Sequence, residues 1–244
     1  MKFNYLKRQS RGLLFLIFSL AVINLAVVFY ADLDHSRIFR LLTMSLFFIF
    51  YFFKKEFNDK RMTAILLLFI LRDIFFQFYE IPWGYKGYMF LGILILTAMT
   101  AEILPRLRGG SVSYLMVGVA VILVLANTFT MYSLMDTLSF EFHDELEVGL
   151  FYLYGALMIV LGAVAISYNN KYNSTRSLYY VVMVFGFLIS DIAALLAYYF
   201  GYEKLYYLDR FCFIIGLGLF VNHALNYDRA REEIYQYEMI DKDL

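Results

Sequence analysis

Cysteine is almost missing from this chain, with Cys212 the single example in 244 residues. An intrachain disulfide is therefore excluded, and so is any metal cluster built on cysteine. Charge is also scarce, at 17% of residues against roughly 25% in a soluble domain. Lysines and arginines balance aspartates and glutamates, 21 against 21, so no basic surface suggests nucleic acid. No H-E-x-x-H, phosphate-binding loop or G-x-S-x-G pattern occurs. No cofactor or metal is expected: His35 and His143 stand alone in loops. No lysine falls at the middle of an apolar run, which excludes a retinal Schiff base. A clear A-x-A cleavage site is lacking after the basic N-terminus of Lys2, Lys7, Arg8 and Arg11, so the first apolar run reads as an uncleaved helix.

What remains is apolar. Hydrophobic residues make up 62% of the chain and aromatic residues 20%. A membrane-crossing helix needs roughly 17–25 mostly apolar residues. Eight runs qualify: 12–30, 38–53, 62–80, 87–104, 114–134, 147–168, 178–200 and 205–226. The second is short and can begin before Ser36. Backbone polar groups in lipid must be bonded within their own segment, which favours helices, and the alternation of a transmembrane barrel is missing. The expected fold is all-α: an eight-helix transmembrane bundle over residues 1–226, with a polar cytoplasmic tail at 227–244. The linkers are too short for a second domain.

Basic residues orient such a bundle. Fifteen of them, including Lys54, Lys60, Arg61, Arg106, Lys171 and Arg176, fall on one face. Five fall on the other: Arg37, Arg40, Lys86, Lys204 and Arg210. The imbalance predicts cytoplasmic N- and C-termini in a plasma membrane, a bacterial inner membrane being the expected location. It works only with an even number of spans.

Ionisable groups within a span are costly and are the first functional suspects. Run three carries Arg72 and Asp73, and run seven carries Ser190 and Asp191. Counted from the cytoplasmic ends at 1.5 Å per residue, both aspartates sit roughly 16–20 Å deep. Their surroundings match as well: Phe69-Ile70-Leu71-Arg72-Asp73-Ile74 parallels Phe187-Leu188-Ile189-Ser190-Asp191-Ile192. A 4+4 parallel repeat follows, with helices one to four repeated as five to eight. Two carboxyls at one depth can serve as general acid and base, with Arg72 holding one of them ionised. Adjacent residues do not face each other on a helix, so Arg72 is expected to pair across helices with Asp191. The alternative is a neutralised ion pair that only fixes packing. Glu102 and His223, with Asn222, end their helices near the cytoplasmic side and could line a polar cavity. Asp209 and Arg210 read as residues snorkelling at the outer face. Asn24 and Asn127 read as interhelical hydrogen-bond partners.

The segment Phe185-Gly186-Phe187-Leu188-Ile189-Ser190-Asp191-Ile192-Ala193-Ala194-Leu195 resembles the second aspartate motif of the YhhN family, the lysoplasmalogenase-type membrane hydrolases. Three departures accompany the likeness. Arg72 stands where that family has glycine before its first aspartate. Glu102 lies where it has histidine, and Phe213 and Gly216 lie near its late tyrosine and glutamine. The resemblance implies hydrolysis of the vinyl ether of a lysolipid, with Asp73 and Asp191 catalytic and Arg72, Ser190, Glu102 and His223 in support. Partners would be the bilayer and the lysolipid; oligomeric state is not readable. Two other classes stay open. A small-molecule or ion-coupled transporter also uses midplane carboxyls and a repeat. A noncatalytic sensor or scaffold fits the replaced histidine.

Overall fold

Apolar runs bounded by polar turns fold here as helices whose ends are set by local chemistry. A computed structural model describes residues 2–54, 60–107 and 142–226, together with Leu125, Phe129 and Tyr132. The described residues form seven α-helices and one 3₁₀ turn: α1 (Lys2–Tyr30), α2 (Leu33–Lys54), α3 (Lys60–Phe76), α4 (Pro82–Ile103), the 3₁₀ turn Leu104–Leu107, α5 (Glu145–Tyr172), α6 (Thr175–Phe200) and α7 (Leu205–Leu225). No strand occurs among them. Six helical segments are long and apolar enough to cross a membrane: Arg11–Tyr30, α2, α4 with its 3₁₀ extension, α5, α6 and α7. Apart from Leu125, Phe129 and Tyr132, the run expected at 114–134, with Asn127, lies outside the described residues, as does the tail at 227–244.

The ends differ from the sequence expectation in instructive ways. α2 starts at Leu33, ahead of the run expected at 38–53, so Arg37 lies within the helix together with Arg40. α3 stops at Phe76 and not at residue 80. Ile81 precedes Pro82, which disfavours helical backbone, and it is extended at φ −98° and ψ 135°. Pro82 then occupies the first turn of α4, where its missing N–H costs nothing. α5 starts at Asp144, whose side chain accepts from the Glu147 N–H at 3.0 Å. α6 starts with a reciprocal cap between Ser174 and Ser177 and stops at Gly201, in left-handed backbone at φ +69°.

Helix directions follow from paired contacts. Lys86 meets Asp144, Gly92 backs onto Tyr154, and the Arg106 carbonyl accepts from Lys171 Nζ at 2.8 Å and Tyr172 Oη at 2.9 Å. Both numbers rise together, so α4 and α5 run parallel. Likewise Phe69 packs on Phe187 with centroids 5.1 Å apart, and Arg72 meets Asp191, so α3 and α6 run parallel. α6 and α7 approach closely at glycine: a Cβ on Gly186 would stand 3.1 Å from the Cys212 carbonyl oxygen. One end of the bundle thus gathers Lys54, Lys60, Arg61, Arg106, Lys171 and Arg176. The other gathers Asp32, Asp34, Glu80, Asp144, Glu145 and Glu203. These are called the basic and acidic ends below.

The packing is inverted relative to a soluble protein. Phe15, Phe18, Phe29, Phe53 and Leu14 face outward, more than 60% exposed, while Arg37, Arg40, Arg72, Asp73, Asp209 and Arg210 are buried. Large contiguous apolar surface around a charged interior is what a lipid solvent permits. The chain is a helical bundle with the character of an integral membrane protein.

Candidate functional site

Among the described residues, three interior polar clusters divide the residues singled out by sequence. The first is built on Arg72. Its side chain leaves α3 toward α4, α5 and α6, where one terminal nitrogen donates to Tyr88 Oη at 2.7 Å and to Tyr154 Oη at 2.8 Å. The same nitrogen lies 3.2 Å from Asp191 Oδ1. Tyr154 Oη in turn donates to Asp191 Oδ2. The Tyr88 ring also lies under the guanidinium, 4.2 Å from its carbon to the centroid. The expected pairing of Arg72 with Asp191 is therefore present. Gly92 makes room for it: a Cβ there would fall 2.5 Å from the Tyr154 ring and 3.3 Å from Arg72 Nε.

This cluster opens on a cavity of about 290 Å³. Asp191, Arg72, Tyr88 and Tyr154 line its inner end. Phe76, Met89, Phe151, Met158 and Leu195 form apolar walls, and Leu33, Arg37, Tyr198 and Tyr206 surround its acidic-end side. An apolar pocket with a few converging polar groups is the ordinary form of a ligand site.

The second cluster lies behind the first and contains Asp73, which does not line the cavity. Arg40 Nε is 3.3 Å from Asp73 Oδ1, and the Arg40 guanidinium sits between the Phe76 and Phe213 rings, at 5.0 and 4.1 Å. Asp209 accepts from Ser190 Oγ and from Arg210, both at 2.6 Å, and Arg210 donates to Ser36 Oγ at 3.1 Å. Snorkelling of Asp209 and Arg210 to an outer surface is thereby corrected. Both are 1% exposed; Arg40 of α2 and Asp73 of α3 supply countercharges, and α6 supplies the Ser190 hydroxyl. Ser190 likewise serves Asp209 and not the cavity. Neither oxygen of Asp73 accepts a hydrogen bond, so Arg40 balances its charge without fully bonding it.

The third cluster is at the basic end. Glu102 Oε1 meets His223 Nε2 at 3.1 Å and accepts from Arg106 at 3.0 Å. Neither Glu102 nor His223 lines the cavity; they tie α4 to α7. Asn24 bonds Thr43 at 2.7 Å, joining α1 to α2 as expected.

Sequence reasoning missed Tyr88, Tyr154, Arg37 and Arg40. The arginines left a signal. Arg37, Arg40, Met44, Phe47 and Tyr51 are buried at alternating spacings of three and four, so both cations continue the inward stripe of α2. The tyrosines left none, being two among 22. Outside the helices, Glu80 carries the Arg37 fork, with one bond at 2.9 Å. Burial alone would raise its carboxyl, but the hydrogen bond and charge of Arg37 prevail and hold it below the usual carboxylate range.

No protein-family model matches the chain, and neither a curated protein nor a solved structure matches it significantly.

Proposed function

We propose that this chain is a membrane-embedded hydrolase of the YhhN type that cleaves the vinyl ether of a lysolipid at Asp191. The observation that carries the reading is the bonded triad Arg72–Tyr154–Asp191 at the inner end of an apolar cavity. An enol ether is cleaved by protonation at carbon, giving an oxocarbenium ion that water then attacks. Tyr154 is the proton donor, because Arg72 already donates to its oxygen and stabilises the phenolate left behind. Asp191 faces the cation and takes a proton from the attacking water. That proton returns to Tyr154 through the bond between them. The hemiacetal then collapses to a fatty aldehyde and the glycerol hydroxyl. Asp73 leaves the catalytic pair in this assignment and acts through the packing of α3.

The finer topology belongs to the same reading. The chain leaves α4 at the basic end and enters α5 at the acidic end, which is consistent with the expected count of eight spans. The positive-inside rule then places the basic end, with both termini, in the cytoplasm. Contacts between residues 118–121 apart support the 4+4 repeat: Phe69 with Phe187, Arg72 with Asp191, Tyr79 with Tyr199 and Glu102 with His223. Equivalent positions meet this way beside a pseudo-two-fold axis.

The test is hydrolysis of a vinyl-ether lysolipid by the purified chain in lipid nanodiscs, read as released aldehyde. Asp191→Asn is expected to lower kcat by about 10²-fold or more. Full activity in that variant would sink the assignment.

A further inference from the structure

The acidic-end side of the cavity holds a second cation that the hydrolytic triad does not use. Arg37 lines the cavity and is 1% exposed, and its Nε has no hydrogen-bond partner. The guanidinium packs over the Phe76 ring at 4.9 Å, which fixes its plane. Its two terminal nitrogens are held by Glu80, whose side chain is half exposed on the turn after α3. Asp34 is farther, at 3.8 Å, and almost fully exposed. A buried guanidinium fork closed by one solvent-facing carboxylate is a site whose counterion can exchange. Its geometry matches the paired oxygens of a phosphate ester. Tyr206 also lines the cavity, close enough to Arg37 to feel its charge.

The spacing fits a single amphiphile. Tyr198, close to Arg37, stands seven residues beyond Asp191 on α6, roughly 10 Å along the helix axis. One short polar backbone can bridge a phosphate at Arg37 and a reacting bond at Asp191. We infer that Arg37 is the subsite for the phosphate of a lipid headgroup in this cavity, with Glu80 as its exchangeable occupant in the unliganded protein. The inference rests on the lipid-site reading above but not on any hydrolysis.

The test is equilibrium binding to the detergent-solubilised full chain. Three probes are compared: an ester-linked lysophospholipid, a monoacylglycerol with the same chain, and inorganic phosphate. The lysophospholipid is expected to bind about tenfold or more tightly than the monoacylglycerol, the size of one charge-assisted hydrogen bond. Inorganic phosphate at equal concentration is expected not to displace it. Arg37→Gln should erase the preference. Glu80→Gln should enlarge it, since it removes the competing carboxylate, and this opposite sign separates a binding site from a merely structural ion pair. Should Arg37→Gln fail to fold, the Glu80→Gln result still decides. Asp191→Asn should keep the preference, so loss of hydrolysis and loss of this site are read separately. Equal affinity for the two lipids, displacement by inorganic phosphate, or a weaker preference in Glu80→Gln would each overturn the inference.

Discussion

Arg72 shows how much one side chain can organise. A single nitrogen serves two phenols and a carboxylate drawn from three helices, so its loss strands all three. Arg72→Met should abolish hydrolysis and also destabilise the fold, because truncating one partner of a buried pair costs about 3–5 kcal/mol. Tyr154→Phe is the cleaner probe. It removes one hydroxyl at constant shape, and kcat should fall about 10²-fold or more while the melting temperature in detergent moves little. Gly92→Ala tests the same contact from behind. The added methyl would lie 2.5 Å from the Tyr154 ring and must push it off Asp191. The expected outcome is lost activity with an overpacking cost of about 1–3 kcal/mol, measured by thermal unfolding beside the aldehyde assay.

Among the elements, caps and turns fix where each helix begins and hence which residues share a level. The Ser174–Ser177 cap sets the start of α6 and so the height of Asp191. Ser174→Ala should cost about 1 kcal/mol without touching the cavity, a shift visible in melting but not in kcat. At the start of α5, the hydrogen bond from Lys86, with the Glu147 N–H, holds the Asp144 carboxyl below its usual range. A depressed acid stabilises above its unfolded pKa, and that contribution is lost as pH falls through the folded value. Thermal stability should therefore decline on acidification into and below the ordinary aspartate range, and Asp144→Asn should flatten that decline.

At the scale of the molecule, the described interior charges of α2, α3, α6 and α7 balance one another. Arg40, Arg72 and Arg210 face Asp73, Asp191 and Asp209 across α2, α3, α6 and α7. Such an array stabilises little by itself, but an unmatched member is costly. Arg40→Met should be strongly destabilising, whereas Arg40→Met with Asp73→Leu should recover most of the melting temperature, since no charge is left alone. Little recovery in the double variant would show that Arg40 acts through its packing on Phe76 and Phe213 instead.

The sequence was sufficient for the existence of the described helices, though not for the start of α2 or the end of α3, because an apolar run of some twenty residues in lipid has no other way to satisfy its backbone. It also picked out Arg72 and Asp191, since charges within such runs are rare enough to stand out. It could not assign their neighbours. Asp73 and Asp191 look equivalent along the chain, yet Asp191 meets the cavity while Asp73 turns to Arg40. One residue on a helix is about a 100° rotation, so adjacent Arg72 and Asp73 enter different clusters. Which phenol among 22 reaches Asp191 depends on the parallel contact of α4 and α5 and on the absent Cβ of Gly92. Local periodicity and solvation therefore determined the spans and the suspect charges. Helix rotation and packing, which join residues as far apart as Arg72 and Asp191, decided which charges form a site.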